Sequence, residues 1–512
     1  MNLQSIAQHD LARWQSVAQD ARQRVEPRHF IDGDWADSID GGRFETIDPS
    51  SGEVIAEIAA GSEKDIDRAV AAAKKAFRSG CWSRMAPRDR MAVLYRFADL
   101  ISENAEQLAV LETLDMGKPI SDVINVDLPL VCETIRFMAE CIDKVDGAVT
   151  NTAADAMHFI LREPLGVVGA ITPWNYPMLM AAWKFAPALA AGNCVVLKPA
   201  EQSPMSCPRL AELFMEAGGP AGVFSVVNGM GEVAGQALAL HHDVAKISFT
   251  GSTEVGKLML QYAGQSNMKH VGLECGGKSP QIFMSDLPDL GQAVEAAYRG
   301  IYENMGEVCN AGSRLLVQRS IYDEFVERFR SEGQFAYRPG QPLDPATSMG
   351  PLVTKGDQRR VLDMIETGSA EGARLVFGGD APAELEPGAF VNPTLFADVN
   401  NEMSIARQEI FGPVACVIPF DGLEEAVHIA NDTIYGLAAS LWTRDVDTAM
   451  HMVRSIESGV VWVNTFDAGD FTQPFGGYKQ SGNARDKCID SFKSYTQTKS
   501  AWIQLSPPGG AS

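Results

Sequence analysis

Strand-like and helical segments alternate along the chain from residue 159 onward, and this alternation constrains the fold more than any other feature. The strand-like segments are FILREPLGVVGAI, CVVLKPA, VFSVVNG and AKISFTG, and the stretches between them carry apolar residues three and four apart. Such alternation is typical of βαβ units built around a parallel sheet. Because it resumes after Gly276 and continues to about residue 465, the sequence predicts two consecutive α/β domains.

The acidic balance of the chain excludes several classes of partner. The 512 residues include 43 Lys+Arg and 66 Asp+Glu, which gives a formal net charge of −23, and 46% of the residues are hydrophobic. This apolar content excludes a disordered chain. Phosphate backbones and anionic lipids repel an acidic surface, so we expect neither a nucleic-acid nor a membrane partner.

The cysteines and the N-terminus indicate the cellular compartment. The nine cysteines are scattered without a C-x-x-C pair, and the histidines form no H-E-x-x-H pattern. We therefore expect no disulfide framework and no metal site. No basic start precedes an apolar run, and prolines and a lysine interrupt the apolar region 164–197. These features predict a cytoplasmic protein.

Two segments have the features of a nucleotide-binding edge. Lys198 and Glu201 follow the strand-like segment CVVL, and a carboxylate at the end of a parallel strand can bind a ribose diol. A surface salt bridge is the alternative. At Thr250-Gly251-Ser252 a strand meets a helix, whose N-terminal N–H groups bind phosphate. An ordinary capped turn is the alternative there, and the glycine run 229–235 is a weak dinucleotide signal.

Two residues are candidates for the chemistry itself. Glu274 precedes Gly-Gly, where the backbone can approach a ligand closely, and burial would raise the pKa of this carboxyl toward that of a general base. Cys309 lies between a helical stretch and the strand-like segment SRLLV. A thiol beside backbone donors is a candidate nucleophile. A structural carboxylate and an inert, packed cysteine are the alternatives.

Seven motifs in a fixed order decide among these alternatives. They are TPWNYP (172–177), KPAE (198–201), FTGSTEVG (249–256), LECGGKS (273–279), Cys309 with AGSR (311–314), QEIFGP (408–413) and PFGGYKQSG (474–482). Over about residues 28–503 the chain closely resembles the non-phosphorylating, NAD(P)-dependent aldehyde dehydrogenases. Its carboxy-terminal stretch 463–487 looks most like the γ-glutamyl-γ-aminobutyraldehyde and guanidinobutyraldehyde dehydrogenases of amine and polyamine breakdown.

The resemblance implies a role for each matching residue. Cys309 matches the nucleophile, Glu274 the general base and Asn175 the side-chain donor to the oxyanion. Glu409 and Phe411 match the nicotinamide-ribose contacts. The resemblance also implies NAD as the cofactor, with NADP less preferred, and the remaining cofactor contacts are Ile171, Thr172, Trp174, Lys198, Glu201, Gly231, Gly251, Ser252, Gly256 and Leu273.

Two positions depart from the family's common residues. Cys275 stands where Leu or Ala is common, and we expect little change because this position contributes mainly backbone. Glu307 stands where Gln is common, two residues before the nucleophile. A negative charge there would raise the pKa of the Cys309 thiol and slow its activation.

The resemblance also implies the fold and the domain organisation. We expect a helical extension over 1–27, a Rossmann-like NAD-binding domain over 28–146 and 164–276, and an α/β catalytic domain over 277–488. A small β oligomerisation element is expected at 147–163 and 489–505, and the tail 506–512 is expected to be disordered. The family assembles through such an element, so the expected partner is a second copy of the chain, as a dimer of dimers.

Alignment by motif spacing predicts the aldehyde tunnel. Tyr176, Trp183 and Phe475 should form its walls, and Asp127 and Asp467 should lie near its mouth. Aromatic walls and entrance acids suit an aldehyde with a cationic far end, such as an aminoalkyl or guanidinoalkyl aldehyde. The alternative is that both acids are solvated surface charges, and a broad-range aliphatic or aromatic aldehyde dehydrogenase is then the better interpretation.

Two functions of other classes compete with aldehyde oxidation. A thiol hydrolase would use Cys309 and Glu274 without a cofactor, but the nucleotide-type motifs at Lys198 and Ser252 count against it. A non-catalytic scaffold would not need Cys309, Glu274 and Asn175 together. Aldehyde oxidation therefore explains more of the sequence than either rival.

Overall fold

Two seven-stranded sheets form the framework of the molecule. A computed structural model describes residues 6–506, so the predicted disorder of the tail lies, except for Ser506, outside the described residues. The strands are β1 His29–Ile31, β2 Asp34–Ala36, β3 Arg43–Ile47, β4 Val54–Ala59, β5 Ala148–Thr150, β6 Ala156–Pro164, β7 Val167–Ile171, β8 Cys194–Lys198, β9 Phe224–Val226, β10 Val244–Thr250, β11 His270–Glu274, β12 Pro280–Phe283, β13 Arg314–Gln318, β14 Arg374–Phe377, β15 Thr394–Ala397, β16 Val414–Phe420, β17 Ala438–Trp442, β18 Val460–Val463, β19 Pro474–Phe475, β20 Asp486–Lys487 and β21 Thr496–Gln504.

The first sheet has the order β11-β10-β7-β8-β9-β1-β2, and its strands from β11 to β9 run parallel. The second has the order β14-β15-β16-β13-β12-β17-β18 and is parallel except for β14. Half of these strands are buried along their whole length, as expected when helices cover both faces of a parallel sheet. The alternation of the sequence therefore predicted both sheets correctly.

Helices cover the two sheets and build the walls of the space between them. The helices of eight or more residues are α1 Leu11–Gln23, α2 Glu63–Ser79, α3 Pro87–Glu103, α4 Ala105–Met116, α5 Leu128–Cys141, α6 Pro177–Ala190, α7 Ser206–Glu216, α8 Thr253–Gln265, α9 Leu290–Tyr302, α10 Tyr322–Ala336, α11 Lys355–Ala370, α12 Leu423–Asn431 and α13 Val446–Ser455. A short helix, 120–122, and a π-helical segment, 123–127, lead directly into α5. No helix within residues 6–506 is long and apolar enough to cross a membrane.

A separate antiparallel sheet joins two distant parts of the chain. β6 pairs with β21 over nine residues, from Thr496 opposite Pro164 to Gln504 opposite Ala156, and β5 lies on the other edge of β6. Large apolar side chains on this sheet are exposed, among them Val149, Leu161 and Trp502. Val149 and Leu161 lie on one face of the sheet, and Trp502 lies on the other face beside His158. Exposed apolar side chains of this kind mark an interaction surface.

Candidate active site

A cavity of about 880 Å³ lies between the two sheets. On one side are the residues that follow β7, β10 and β11 of the first sheet. On the other are the segments that precede β13 and β16 of the second sheet. Carboxyl edges of parallel strands are where open α/β sheets bind their ligands. The cavity is therefore the candidate active site.

The structure brings most of the predicted residues to this cavity. Those that line it are Trp174, Asn175, Tyr176, Trp183, Gly251, Ser252, Cys309, Glu409, Phe411, Asp467 and Phe475. Ile171, Thr172, Gly256, Leu273 and Glu274 lie directly behind these residues on β7, α8 and β11. Three more of the predicted residues form a neighbouring group, Lys198, Glu201 and Gly231. Asp127 does not line the cavity.

A tight left-handed turn presents Cys309 to the cavity. Asn304, Met305 and Gly306 have φ values of 47°, 59° and 72°, a region that non-glycine residues rarely adopt. Glycine is required at 306 because a Cβ there would lie 2.3 Å from the carbonyl oxygen of Gly412. The surrounding packing therefore fixes the segment in which the thiol stands.

Hydrogen bonds join this turn to the loop after β7. Asn175 Nδ2 donates to the carbonyl oxygen of Glu307 at 2.7 Å, and Asn304 Nδ2 donates to the carbonyl oxygens of Asn175 and Glu307, both at 3.2 Å. An amide nitrogen carries two hydrogens. Asn175 therefore keeps one N–H for the cavity, which Cys309 also lines.

The Glu274 carboxyl is buried at the end of β11. Its side chain accepts no hydrogen bond, and Oε1 would lie 2.6 Å from a Cβ built on Gly476. Burial and the nearby Asp486 raise the pKa of Glu274 well above its ordinary value, while Lys184 and Arg485 oppose this shift. This environment favours the protonated form of Glu274, as expected of a buried general base before activation.

Sequence analysis missed the ion pair that acts on Glu274. Lys184 Nζ donates to Asp486 Oδ2, and both side chains are buried. The signal was a lysine inside the apolar helix MLMAAWKFAPALAA, because a buried lysine needs an anionic partner. The sequence alone could not identify the partner, Asp486, which lies 302 residues away along the chain.

One half of the cavity fits a nicotinamide dinucleotide. Ser252 caps α8 by accepting from the Val255 N–H at 3.2 Å, which leaves the first N–H groups of this helix available for phosphate. Among the residues that the structure describes, the buried hydroxyl of Thr250 has no hydrogen-bond partner. Glu409 accepts from the Gly277 N–H at 3.0 Å, and Phe411 packs edge-to-face on Trp174 at 5.2 Å.

A further group of candidate cofactor contacts lies next to the end of β7. It is formed by Lys198, Glu201 and Gly231. Lys198 Nζ donates to Glu201 Oε2 at 2.8 Å, and Lys198 is buried, so the pair is not the surface salt bridge considered as an alternative. A Cβ on Gly231 would lie 3.9 Å from Glu201 Oε1. Glu201 is therefore a carboxylate held in place by a buried cation.

The other half of the cavity has aromatic walls. Trp183 packs on Phe475 at 5.2 Å, and Tyr176 stands at the start of α6. Lys118 Nζ lies 3.5 Å from the centre of the Tyr176 ring. Asp467, with φ of 54°, accepts from Asn310 Nδ2 at 3.0 Å, so it is tied to the residue that follows the nucleophile.

The prediction that Asp127 lies near the mouth of the tunnel is wrong. Asp127 is 1% exposed, and its Oδ2 accepts from Lys118 Nζ at 2.5 Å. Val126 and Leu130 line the cavity from this part of the chain. They lie four residues apart on one helical face, which turns Asp127 toward the interior, where Lys118 pairs with it.

The carboxyl of Glu307 binds the segment at Val353 rather than the nucleophile. Glu307 is buried and its Oε1 accepts from the Val353 N–H at 3.1 Å. Burial raises the pKa of Glu307 well above its ordinary value, which opposes the negative charge expected from the sequence. The pKa of Cys309 is raised first by burial and then by Glu274, Glu409 and Asp467.

Comparison with known proteins identifies the class. The sequence matches the aldehyde dehydrogenase family over residues 35–501. The NADP/NAD-dependent aldehyde dehydrogenase PuuC of Escherichia coli K12 is 48% identical over 497 residues, which cover 97% of this chain and 99% of that protein. The chain therefore belongs to the aldehyde dehydrogenase family and is an NAD(P)-dependent oxidoreductase of aldehydes.

Two solved structures share the fold over nearly the whole chain. A γ-glutamyl-γ-aminobutyraldehyde dehydrogenase from Burkholderia cenocepacia J2315 is 51% identical, with a TM-score of 0.94, and covers 97% of this chain and all of its own. An indole-3-acetaldehyde dehydrogenase in complex with NAD+ is 50% identical, with a TM-score of 0.95 and the same coverage. The predicted fold and the predicted cofactor class are confirmed.

The raised pKa of Cys309 predicts how its reactivity depends on pH. The thiolate is the nucleophile, and a pKa above the ordinary value leaves mostly thiol at neutral pH. Without cofactor, alkylation of Cys309 by iodoacetamide should therefore accelerate about tenfold per pH unit from about pH 7 to about pH 9. Peptide mass spectrometry measures the rate, and a plateau below about pH 8 would contradict this electrostatic description.

The buried ion pair of Asp127 predicts a stability effect. Asp127→Asn removes the carboxylate bonded to the buried Lys118 and leaves only Glu112 and Asp122 to act on it at longer range, so unfolding should become easier by about 3 kcal/mol. Urea denaturation measures this loss. Because Asp127 does not line the cavity, KM should change equally for hexanal and for a guanidinoalkyl aldehyde. An increase of KM for the guanidinoalkyl aldehyde alone would instead support Asp127 as an acid at the tunnel mouth.

Proposed function

We propose that the chain oxidises an aldehyde to the carboxylic acid with NAD, with Cys309 as nucleophile and Glu274 as general base. One observation carries the proposal: Cys309 lies in one cavity between the aromatic half and the half that fits the dinucleotide, with the Asn175 amide beside it. A thiol hydrolase would not need the half of the cavity that fits the dinucleotide. A non-catalytic scaffold would need neither half.

The first step forms a bond between Cys309 and the aldehyde. The thiolate attacks the carbonyl carbon, and the electrons of the carbonyl double bond move to its oxygen. The free N–H of Asn175 and the backbone N–H of Cys309 stabilise this oxyanion, and each such donor contributes about 3 kcal/mol. The product is a thiohemiacetal on Cys309.

The thiohemiacetal then collapses to a thioester as its C–H bond breaks. When bound, the nicotinamide supplies the acceptor for the departing hydride. Glu409 and Phe411 orient the ribose of this cofactor, Ser252 and the start of α8 bind its phosphates, and Lys198 with Glu201 binds its adenosine ribose.

Hydrolysis of the thioester completes the cycle. Glu274 takes a proton from water, the water oxygen attacks the acyl carbon, and the C–S bond breaks to restore the Cys309 thiolate. Glu274 must first lose the proton that burial holds on it, and Lys184 and Arg485 favour its anion. A general base with a pKa near the working pH is the most effective.

We infer an amine-type aldehyde as the substrate. Asp467 in the aromatic half suits a cationic far end, and the Burkholderia relative is described as a γ-glutamyl-γ-aminobutyraldehyde dehydrogenase. Broad-range oxidation of aliphatic or aromatic aldehydes is the second candidate. The aromatic walls and the equally similar indole-3-acetaldehyde dehydrogenase favour it.

We further propose a homo-oligomer that assembles through the β5–β6–β21 sheet. Its exposed apolar side chains give it the surface of an interface. A cytoplasmic location stays a prediction. Trp502→Glu, which places a charge on this sheet, should shift the molecular mass measured by light scattering toward the monomer.

The division of labour between Cys309 and Glu274 predicts different kinetic defects. Cys309→Ala should abolish oxidation. Glu274→Gln should release a burst of about one NADH per active site and then turn over slowly, because the thioester forms but is not hydrolysed. Stopped-flow absorbance measures both. A Glu274→Gln enzyme without a burst would mean that Glu274 also activates the thiol.

The position of Glu201 predicts the choice of cofactor. A carboxylate that binds the ribose diol repels a 2′-phosphate, so kcat/KM should be higher with NAD than with NADP. Glu201→Gln should narrow this difference, mainly by improving NADP. Equal kcat/KM values for the two cofactors in the unaltered enzyme would contradict the assignment.

A further inference from the structure

The aromatic half of the cavity contains a cation that the proposed mechanism does not use. Lys487 lines this half together with Asp467. It stands on β20, where Lys487 lies opposite Pro474 and the neighbouring Asp486 lies opposite Phe475. Lys487 is therefore next to the tunnel wall rather than next to the dinucleotide half.

Lys487 reaches the cavity from the same short strand that carries Asp486, whose side chain pairs with Lys184 instead. The Lys487 Nζ lies 5.8 Å from the centre of the Phe471 ring. With φ of 65°, its backbone is held in a conformation that bulky residues rarely adopt.

Within residues 6–506 the Lys487 ammonium forms no ion pair. Asp467 and Asp470 act on it only at longer range, and burial lowers its pKa. Asp467 is bound to Asn310, and Asp470 accepts from the N–H and hydroxyl of Thr472. A half-buried cation without a direct partner gains most from an anion that enters the cavity.

We propose that Lys487 is a specificity-determining residue that binds a carboxylate on the far end of the aldehyde. With Asp467 in the same half, the cavity presents one acid and one base, so the best substrates carry an ammonium and a carboxylate together, as an α-amino-acid head group does. This inference rests on the proposed aldehyde oxidation and refines its substrate class, which otherwise includes purely cationic aldehydes.

Lys487→Met tests the proposal because it removes the charge and keeps an unbranched side chain. The probes are adipic semialdehyde, hexanal and the γ-glutamyl derivative of γ-aminobutyraldehyde. We expect kcat/KM to fall about tenfold for the two carboxylates, mostly through KM, and to stay unchanged for hexanal. Lys487→Arg should restore kcat/KM for the two aldehydes that carry a carboxylate. Lys493→Met, which removes an exposed lysine paired with Asp490, is the control for net charge.

Each outcome separates this proposal from the broader function. Equal losses for hexanal and the carboxylates, or no loss for any of them, would overturn the role of Lys487 and leave amine-type oxidation standing. A selective loss for adipic semialdehyde in an enzyme that rejects every amine-type aldehyde would support Lys487 and refute the amine-type assignment. Lys493→Met with the same selective loss would show that only overall charge matters.

Discussion

The site depends on the hydrogen bond from Asn175 Nδ2 to the carbonyl oxygen of Glu307. Asn175 follows β7 of the first sheet, and Glu307 precedes β13 of the second, so this contact joins the two halves of the molecule at the nucleophile. Asn304 repeats the connection from the left-handed turn. The oxyanion donor and the thiol therefore keep their relative positions only when both sheets are in place.

Burial shifts the pKa values of the site. It raises the pKa values of Glu274 and Cys309, and it raises that of Glu409 to about 7. These shifts favour the protonated forms and so lessen the repulsion among closely spaced acids. Activation then consists of removing protons from these groups. The Lys184–Asp486 ion pair influences the removal of the proton from Glu274.

The sequence predicted the parts of the molecule that depend on local pattern and ordered motifs. Alternating segments predicted both sheets, and the motif residues Asn175, Cys309 and Glu409 meet in one cavity. Side-chain partners were not predictable. Asp127 looked like an entrance acid, but it pairs with Lys118, and burial raises the pKa of Glu307 and so opposes the charge expected there. Lys487 gave no signal because its neighbours in sequence do not show that it lines the cavity.

The central claim is that the acyl group is carried on Cys309 and released through Glu274. Intact-protein and peptide mass spectrometry of the Glu274→Gln enzyme, quenched in acid after mixing with NAD and an aldehyde, tests it most directly. We expect the peptide that contains Cys309 to gain the mass of the acyl group. The unaltered enzyme should show far less of this acylated peptide. An unmodified Cys309 peptide in a variant that still produces NADH would contradict the account.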